Sequence, residues 1–154
     1  MIEIENTGGS KIRRALVADA LAVHTVLLAA KNDIPLKENF ADAAHQDWVR
    51  GQCRQKNVWL DDRAGDIAGV MVMRANEIFY LVVATRFRRQ GVGRALIRHA
   101  LDYIRRKRWR GAKARIRTAN APIVRLLASE GFRPHPILAA SEPGWEVYTW
   151  GDVG

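Results

Sequence analysis

The sequence predicts a mixed α/β domain, in which a mostly antiparallel sheet carries helices on its faces. Strand-forming segments joined by short turns follow one another between Val58 and Ala84, which is typical of antiparallel hairpins. A strand–helix–strand unit comes next, and such a crossover makes its two strands parallel. With 154 residues, 48% of them hydrophobic, the chain is large enough to bury one core.

The first eleven residues are expected to form a flexible leader, because they include the segment TGGS, and a single domain is expected from residue 12 to 151. Helices are predicted where apolar residues recur at helical spacing, at Asp19–Ala30, Ala41–Gln55, Gly91–Lys107 and Ala121–Glu130. Strands are predicted at Ile12–Ala15, Val58–Asp62, Ile67–Met73, Glu77–Ala84, Ala112–Thr118 and Trp145–Trp150. Pro134 and Pro136 predict an extended connection before the last strand.

The charge and the cysteine content of the chain indicate which kind of partner it binds and in which cell compartment it works. A formal net charge of +9 indicates an anionic partner, such as a phosphorylated cofactor, a nucleic acid or an acidic surface, unless the surplus arginine only keeps the chain soluble. Cys53 is the one cysteine, so it forms no disulfide within the chain and is expected to be a small, at least half-buried apolar residue. No signal peptide and no apolar run long enough to cross a membrane is found, and a cytoplasmic location is expected.

The segment RRQGVGR, at residues 88–94, lies between a predicted strand and the best predicted helix. The first N–H groups of a helix have no acceptor within the helix, and its dipole adds positive potential there. Glycines at 91 and 93 are expected to let the backbone approach a phosphate closely. Arg88, Arg89 and Arg94 add charged donors, so the segment predicts an anion site.

Two nucleotide-binding motifs do not fit this segment. A phosphate-binding loop of the Walker A type needs Lys and Ser or Thr after its last glycine, where this chain has Arg94 and Ala95. A Rossmann fingerprint needs a small residue where Leu96 stands, and an acidic residue about twenty positions further on. The anion is therefore not assigned by either motif.

The pattern Arg88-x-x-Gly91-x-Gly93 resembles the pyrophosphate-binding signature of the GNAT N-acetyltransferase superfamily. The segment YLVVATRFRRQGVGRALI is similar to that family's strand, loop and helix, and NAPIVRLLASEGF, at Asn120–Phe132, is similar to its second motif. The resemblance implies the GNAT fold, whose two central parallel strands splay apart. It also implies acetyl-CoA as the acetyl donor. No metal is expected, because no pair of His, Cys or carboxylate side chains has metal-site spacing in the sequence.

The resemblance further implies which residues bind the cofactor. The N–H groups of Arg89–Arg94 would hold the pyrophosphate, and the strand ending at Val83 would pair with the pantetheine arm, with a backbone N–H polarising the thioester carbonyl. Asn120 would fix the arm from the other side. The implied cofactor-binding residues are Leu81, Val82, Val83, Arg88, Arg89, Gln90, Gly91, Val92, Gly93, Arg94 and Asn120.

The implied reaction is direct acetyl transfer to a primary amine, which requires a base and benefits from an acid. Here the chain departs from the family pattern, because Leu127 stands where many members have a proton-donating Tyr, and Arg115 where others have a Glu. Glu77 remains as a base acting through water or after a bulge; as an alternative, it pairs with Arg74. It shares strand parity with Leu81 in a regular strand, about 13 Å away.

Two tyrosines are further candidates for proton transfer. Tyr80 and Tyr148 are candidate proton donors or simply core aromatics, and His99 is expected to pack on the apolar side of its helix.

The acceptor amine is not identified; residues 31–55 and 136–145 are expected to shape its pocket. A CoA-binding or protein-interaction module without catalysis is the alternative function. The basic segment Arg105–Arg110 fits a helix end better than a nucleic-acid site, and a homodimer is left open.

Overall fold

The computed structural model describes residues 10–30, 43–117, 119–139 and 144–153. Its helices are α1 (Ala20–Ala29), α2 (Ala43–Arg54), α3 (Val92–Arg106) and α4 (Ala121–Ser129). Its strands are β1 (Ser10–Arg14), β2 (Val58–Arg63), β3 (Asp66–Arg74), β4 (Glu77–Val83), β5 (Gly111–Arg117), β6 (Arg133–Ala139) and β7 (Trp145–Gly151). Single turns of 3-10 helix at Val17–Asp19 and Thr85–Phe87 precede α1 and follow β4. The predicted leader lies outside the described residues up to residue 9.

The strands form one seven-stranded sheet in the order β1-β2-β3-β4-β5-β7-β6. Neighbouring strands are antiparallel except for β4 and β5, which are parallel because α3 connects them. The predicted mixed sheet, with one central parallel pair, is therefore confirmed.

Helices cover both faces of the sheet. On one face, α1 and α2 bury Val23, Leu27, Val49 and Cys53 against β3 and β4. On the other, α3 and α4 bury a second apolar cluster against β3, β4 and β5. Cys53 is buried, as expected, and its burial raises the pKa of its thiol. The alternation along the strands thus supplies an apolar surface to each helical layer.

Strand β6 was not predicted as a strand. Its segment pairs with β7, with Arg133 opposite Thr149 and Pro134 opposite Tyr148, at the edge of the sheet. Proline lacks the N–H that a central strand would need, but an edge strand leaves one side unpaired. For that reason the two prolines predicted an extended connection rather than a strand, although they are compatible with an edge position.

Helix α3 lies directly on the backbone of β3. A Cβ placed on Gly69 would lie 2.6 Å from Val92 Cγ1 and 2.9 Å from Leu96 Cδ1. Only a residue without a side chain allows the first turn of α3 to approach the strand this closely. Gly69 therefore sets the height of the α3 N-terminus above the sheet.

Candidate active site

The parallel strands β4 and β5 pair only where they begin. Their register joins Glu77 to Lys113 and Ile78 to Ala114, although both strands continue for several residues. Beyond these pairs the strands diverge, so the edge of β4 that leads to Val83 does not pair with β5. The divergence opens the middle of the sheet, as the resemblance implied.

The loop between β4 and α3 presents a row of unused backbone donors. Arg89 and Gly91 both adopt positive φ, at 64° and 80°, and Gly91 is the N-cap of α3. The first backbone bond into the helix comes from Ala95 to the Gly91 carbonyl. Within the described ranges, the N–H groups of residues 89–94 donate no hydrogen bond. Together with the helix dipole, they form a site suited to a phosphate anion.

A cleft of about 510 Å³ lies in front of this loop, between the end of α1 and helix α4. That volume is within the range of small-molecule sites. Its lining residues are Ala30, Leu81, Val82, Val83, Arg88, Arg89, Gly91, Val92, Gly93, Arg94, Asn120, Pro122, Ile123, Arg125 and Leu126. Ten of the eleven residues expected to bind the cofactor are among these fifteen.

Gln90 is the predicted binding residue that does not line the cleft. Its side-chain oxygen accepts a hydrogen bond from Arg63 Nη1 at 3.1 Å, and its nitrogen donates to the Arg86 carbonyl at 3.4 Å. These contacts hold the side chain on the far side of the loop. Gln90 can contribute only its backbone N–H to the cleft.

The two glycines of the loop have different structural roles. A Cβ on Gly91 would meet no atom within 4 Å, so Gly91 is needed for its positive φ. A Cβ on Gly93 would lie 2.9 Å from Leu126 Cδ2, so Gly93 also allows α3 to pack closely against α4. Gly93 therefore has a packing role in addition to the close phosphate approach expected for both glycines.

The cations at the cleft differ in how firmly they are held. Arg94 lies 3.2 Å from a Glu130 oxygen and also donates to Ser129 Oγ, while Arg98 binds the same carboxylate at 3.0 Å. The hydrogen bond from Arg98, together with the charges of both arginines, lowers the pKa of Glu130. Arg89 makes no ion pair or hydrogen bond in the described part of the chain and is available to an anion.

One positively charged residue of this cleft was not predicted from the sequence. Arg125 lies on α4 and faces the loop across the cleft. The signal was available in principle, because Arg125 follows the predicted Asn120 by little more than one helical turn. Only the packing of α4 against α3 shows which arginines of these helices face the cleft.

Asn120 stands where the cleft meets the opening in the sheet. It is the N-cap of α4, and its Oδ1 accepts from the Ile123 N–H at 3.4 Å. This bond orients the side chain. Its amide nitrogen makes no hydrogen bond among the described residues, and so remains available as a donor.

A narrow slot of about 20 Å³ continues from the cleft between the diverging strands. It shares Leu81, Asn120 and Ile123 with the cleft. The remaining lining residues are Ile78, Phe79, Tyr80, Ile97, Ala114, Arg115, Ile116, Arg117 and Leu127. Since these residues come from both faces of the sheet, the slot lies within the sheet, between β4 and β5. Its volume admits about one water-sized group.

A bulge in β4 changes the position of Glu77. Tyr80 pairs with Val72 but Ile78 with Met73, which leaves Phe79 as an additional residue. Glu77 therefore lies on the face of α1 and α2, whereas Leu81 packs against the α3 cluster. The parity with Leu81 expected for a regular strand is wrong. Glu77 is half-buried and lines neither the cleft nor the slot.

The other candidates for proton transfer are separated by the fold. Tyr80 is buried, lines the slot, and packs its ring 5.4 Å from that of Trp48 on α2. Tyr148 is buried under α3 and α4 and lines neither cavity; burial, and then the charge of Glu146, raises the pKa of its hydroxyl. Leu127 is buried at the wall of the slot, where it offers no proton.

The described residues contain neither a candidate metal site nor a helix that could span a membrane. Across these ranges, no group of three or more His, Cys, Asp and Glu side chains is placed to hold a metal ion. None of the helices found there has the length and apolar character needed to cross a membrane. Residues 31–42 and 140–143, which make up just under half of the segments expected to shape the acceptor pocket, lie outside the described ranges.

The family follows from a comparison with known sequences. The model of the acetyltransferase (GNAT) family matches residues 23–132, which is more than two thirds of the chain. The chain belongs to this family. The prediction of an acetyl-CoA-dependent acyltransferase is thereby confirmed, and a GNAT fold without catalysis is not favoured. No curated protein sequence matches the chain significantly.

Solved structures agree with the fold of this GNAT family member. The ribosomal-protein-alanine N-acetyltransferase from Brucella melitensis is 22% identical, with a TM-score of 0.74 over 92% of this chain and 99% of that one. The protein yncA from Salmonella typhimurium, solved with acetyl-CoA, is 20% identical, with a TM-score of 0.72 over 92% and 93%. N-acetylglutamate synthase from Neisseria gonorrhoeae, complexed with coenzyme A and N-acetyl-glutamate, is 15% identical, with a TM-score of 0.73 over 95% and 36%. At these identities the likeness is one of fold.

Proposed function

We propose that this GNAT family member transfers the acetyl group of acetyl-CoA directly to a primary amine while both substrates are bound. The observation that carries the proposal is the run of free N–H groups at residues 89–94, at a cleft that adjoins a slot between the diverging strands β4 and β5. Acetyl-CoA supplies an acetyl thioester; the amine forms the new C–N bond as the C–S bond breaks, and CoA thiol is released. We further propose that this reaction takes place in the cytoplasm.

The residues of the cleft are suited to the parts of this cofactor. The free N–H groups and the unpaired Arg89 would hold the pyrophosphate, with Arg88 and Arg125 adding positive charge. The unpaired edge of β4 near Leu81–Val83 offers backbone groups to the pantetheine amides, as an added strand would. Asn120 offers its free amide nitrogen from the opposite wall.

The slot is suited to bringing in the amine. With a volume of about 20 Å³, it admits an amine nitrogen but not the body of an acceptor. Holding the nitrogen in line with the carbonyl carbon removes much of the entropic barrier of a reaction between two molecules. The acceptor body would then lie on the face of α1 and α2, the face on which Arg115 and Arg117 line the slot.

Glu77 is proposed as the base, acting through a water molecule. The bulge at Phe79 turns Glu77 to the face of α1 and α2, the one from which the amine would approach. Its register neighbours there are Arg74 and Lys113, and none of the described cations lies within 4 Å of its carboxylate. Tyr80, at the wall of the slot, is proposed as the donor to the leaving thiolate.

Release of free thiol from acetyl-CoA, measured across a panel of primary amines, tests this function. Glu77→Gln should lower kcat by roughly 100-fold, because general-base catalysis contributes at least about that much. Glu146→Gln is the matched control, since Glu146 is an exposed strand carboxylate on the opposite face of the sheet, beside Ile116. Unchanged turnover in the Glu77 variant would remove Glu77 as the base.

A further inference from the structure

Two arginines of β5 have no anionic partner among the residues that the structure describes. Arg115 and Arg117 alternate with Ala114 and Ile116, which pack under α3, so both arginines face the side of α1 and α2. The Nε–H groups of both are buried and donate to no acceptor, and neither guanidinium makes a hydrogen bond or an ion pair among the described residues. Both arginines line the slot.

Several other arginines among the described residues do have an anionic partner. Arg13 binds Asp19 and Asp62, and Arg94 and Arg98 bind Glu130. A partly buried charged donor without an acceptor is costly, and proteins normally supply one. Two such groups on one strand face, about 7 Å apart, therefore indicate that their acceptor comes from a ligand.

The position of Arg117 is fixed by an aromatic contact. Its Cζ atom lies 4.3 Å from the centroid of the Trp145 ring, and Trp145 is buried on the neighbouring strand β7. Such stacking orients the guanidinium plane and leaves its edge free for hydrogen bonds. A planar fork held in this way is complementary to a carboxylate.

We propose that Arg115 and Arg117 bind a carboxylate of the acceptor, which makes the acceptor a small molecule of the amino-acid class. The slot joins the two arginines to Leu81, Asn120 and Ile123, which also line the cofactor cleft. An amine in the slot and a carboxylate on the arginines are therefore a few atoms apart, as they are in an amino acid. This inference rests on the proposed acetyl transfer.

The test compares paired acceptors with the wild-type enzyme and acetyl-CoA, using release of free thiol. Each free amino acid is compared with the amine that lacks its carboxyl group and with a short peptide that has the same N-terminal residue. Phosphoethanolamine is included as an amine that carries a different anion. We expect kcat/KM for the best amino acid to exceed that for its decarboxylated partner by roughly 100-fold. Arg115→Met and Arg117→Met should each raise KM for that amino acid by roughly 30-fold or more, with a smaller change in kcat.

Three controls separate this role from a structural one. Arg106→Met changes an exposed arginine in the last turn of α3 and should leave the preference intact. Arg115→Lys should recover part of the affinity, because it keeps the charge but not the fork. The affinity of Arg115→Met for acetyl-CoA should stay within about twofold of wild type, since Arg115 does not line the cleft.

The possible failures are distinguishable. Equal or better turnover of the decarboxylated amine, the peptide or phosphoethanolamine overturns the carboxylate site, and this comparison does not depend on any variant folding. So does the absence of both turnover and binding of every amino acid while acetyl-CoA still binds. If the wild type does not bind acetyl-CoA, the proposed function fails, and the acceptor site fails with it.

Discussion

His99 is a half-buried side chain whose charge is opposed by its surroundings. Its ring makes an edge contact with Trp59 at 4.3 Å, and its Nε2 is buried without a hydrogen bond in the part of the chain that is described. Burial lowers the pKa of His99 below 6.5; Arg106 and Arg14 lower it further, while Asp102 acts in the opposite direction. The packing role expected from the sequence is thus achieved by the neutral imidazole.

A pH-dependent stability follows from this residue. Between the folded pKa and the unfolded value of 6.5, the unfolded chain binds more protons at this position than the folded one. The contribution of neutral His99 to the free energy of unfolding is therefore fully present above about pH 6.5, and it is lost as the pH falls through the folded pKa. His99→Gln should reduce this loss in chemical denaturation at pH 7.5 and pH 5. An identical pH dependence in both proteins would contradict the assignment.

At the scale of residues, the sequence predicted positions better than roles. The motif residues around Arg88–Arg94 and Asn120 meet in one cleft because their spacing is local to one strand–loop–helix unit and to one helix start. The face of Glu77 could not be predicted, since it depends on one additional residue in β4. The unpaired state of Arg115 depends on which carboxylates of distant strands come near, and only the fold decides that.

At the scale of elements, the junction of β4 and α3 forms the proposed cofactor site. Gly91→Ala would force a side chain into positive φ, which costs about 1–2 kcal/mol or shifts the loop. We expect this variant to unfold more easily and to bind acetyl-CoA roughly tenfold more weakly, because the N–H groups at residues 89–94 would no longer converge. Thermal unfolding and an acetyl-CoA titration measure the two effects.

Gly65→Ala is the matched control for that variant. Gly65 also has positive φ, at 92°, and a Cβ there would also meet no atom within 4 Å, but it lies in the turn between β2 and β3. It should show a similar loss of stability with unchanged affinity for acetyl-CoA. A similar loss of affinity in both variants would mean that the loop geometry at Gly91 is not specific to the cofactor.

The elements that were predicted and the one that was missed have a common explanation. The hairpins, α3 and the crossover to β5 follow from apolar periodicity and connection length, which are local properties of the sequence. Strand β6 contains two prolines, and only its partner β7 makes it a strand. The splaying of β4 from β5 likewise depends on the whole sheet, and only the family resemblance implied it.

At the scale of the molecule, the positive charge has several uses. Part of it surrounds the cleft, where Arg88, Arg89, Arg94 and Arg125 line the proposed anion site. The basic end of α3 contacts its own surroundings instead. There Arg105 lies 3.3 Å from Asp102 and its guanidinium lies over the Trp150 ring. Arg110 and Asp152 approach to 3.9 Å. The excess of arginine therefore needs no nucleic acid to explain it.

The central claim is acetyl transfer from acetyl-CoA to a primary amine, and release of free thiol by the wild-type protein tests it most directly. We predict thiol release that requires both acetyl-CoA and an amine, matched mole for mole by acetylated amine in the mass spectrum. Thiol release at the same rate without any amine would mean simple hydrolysis. No release with any amine, although acetyl-CoA binds, would contradict the claim.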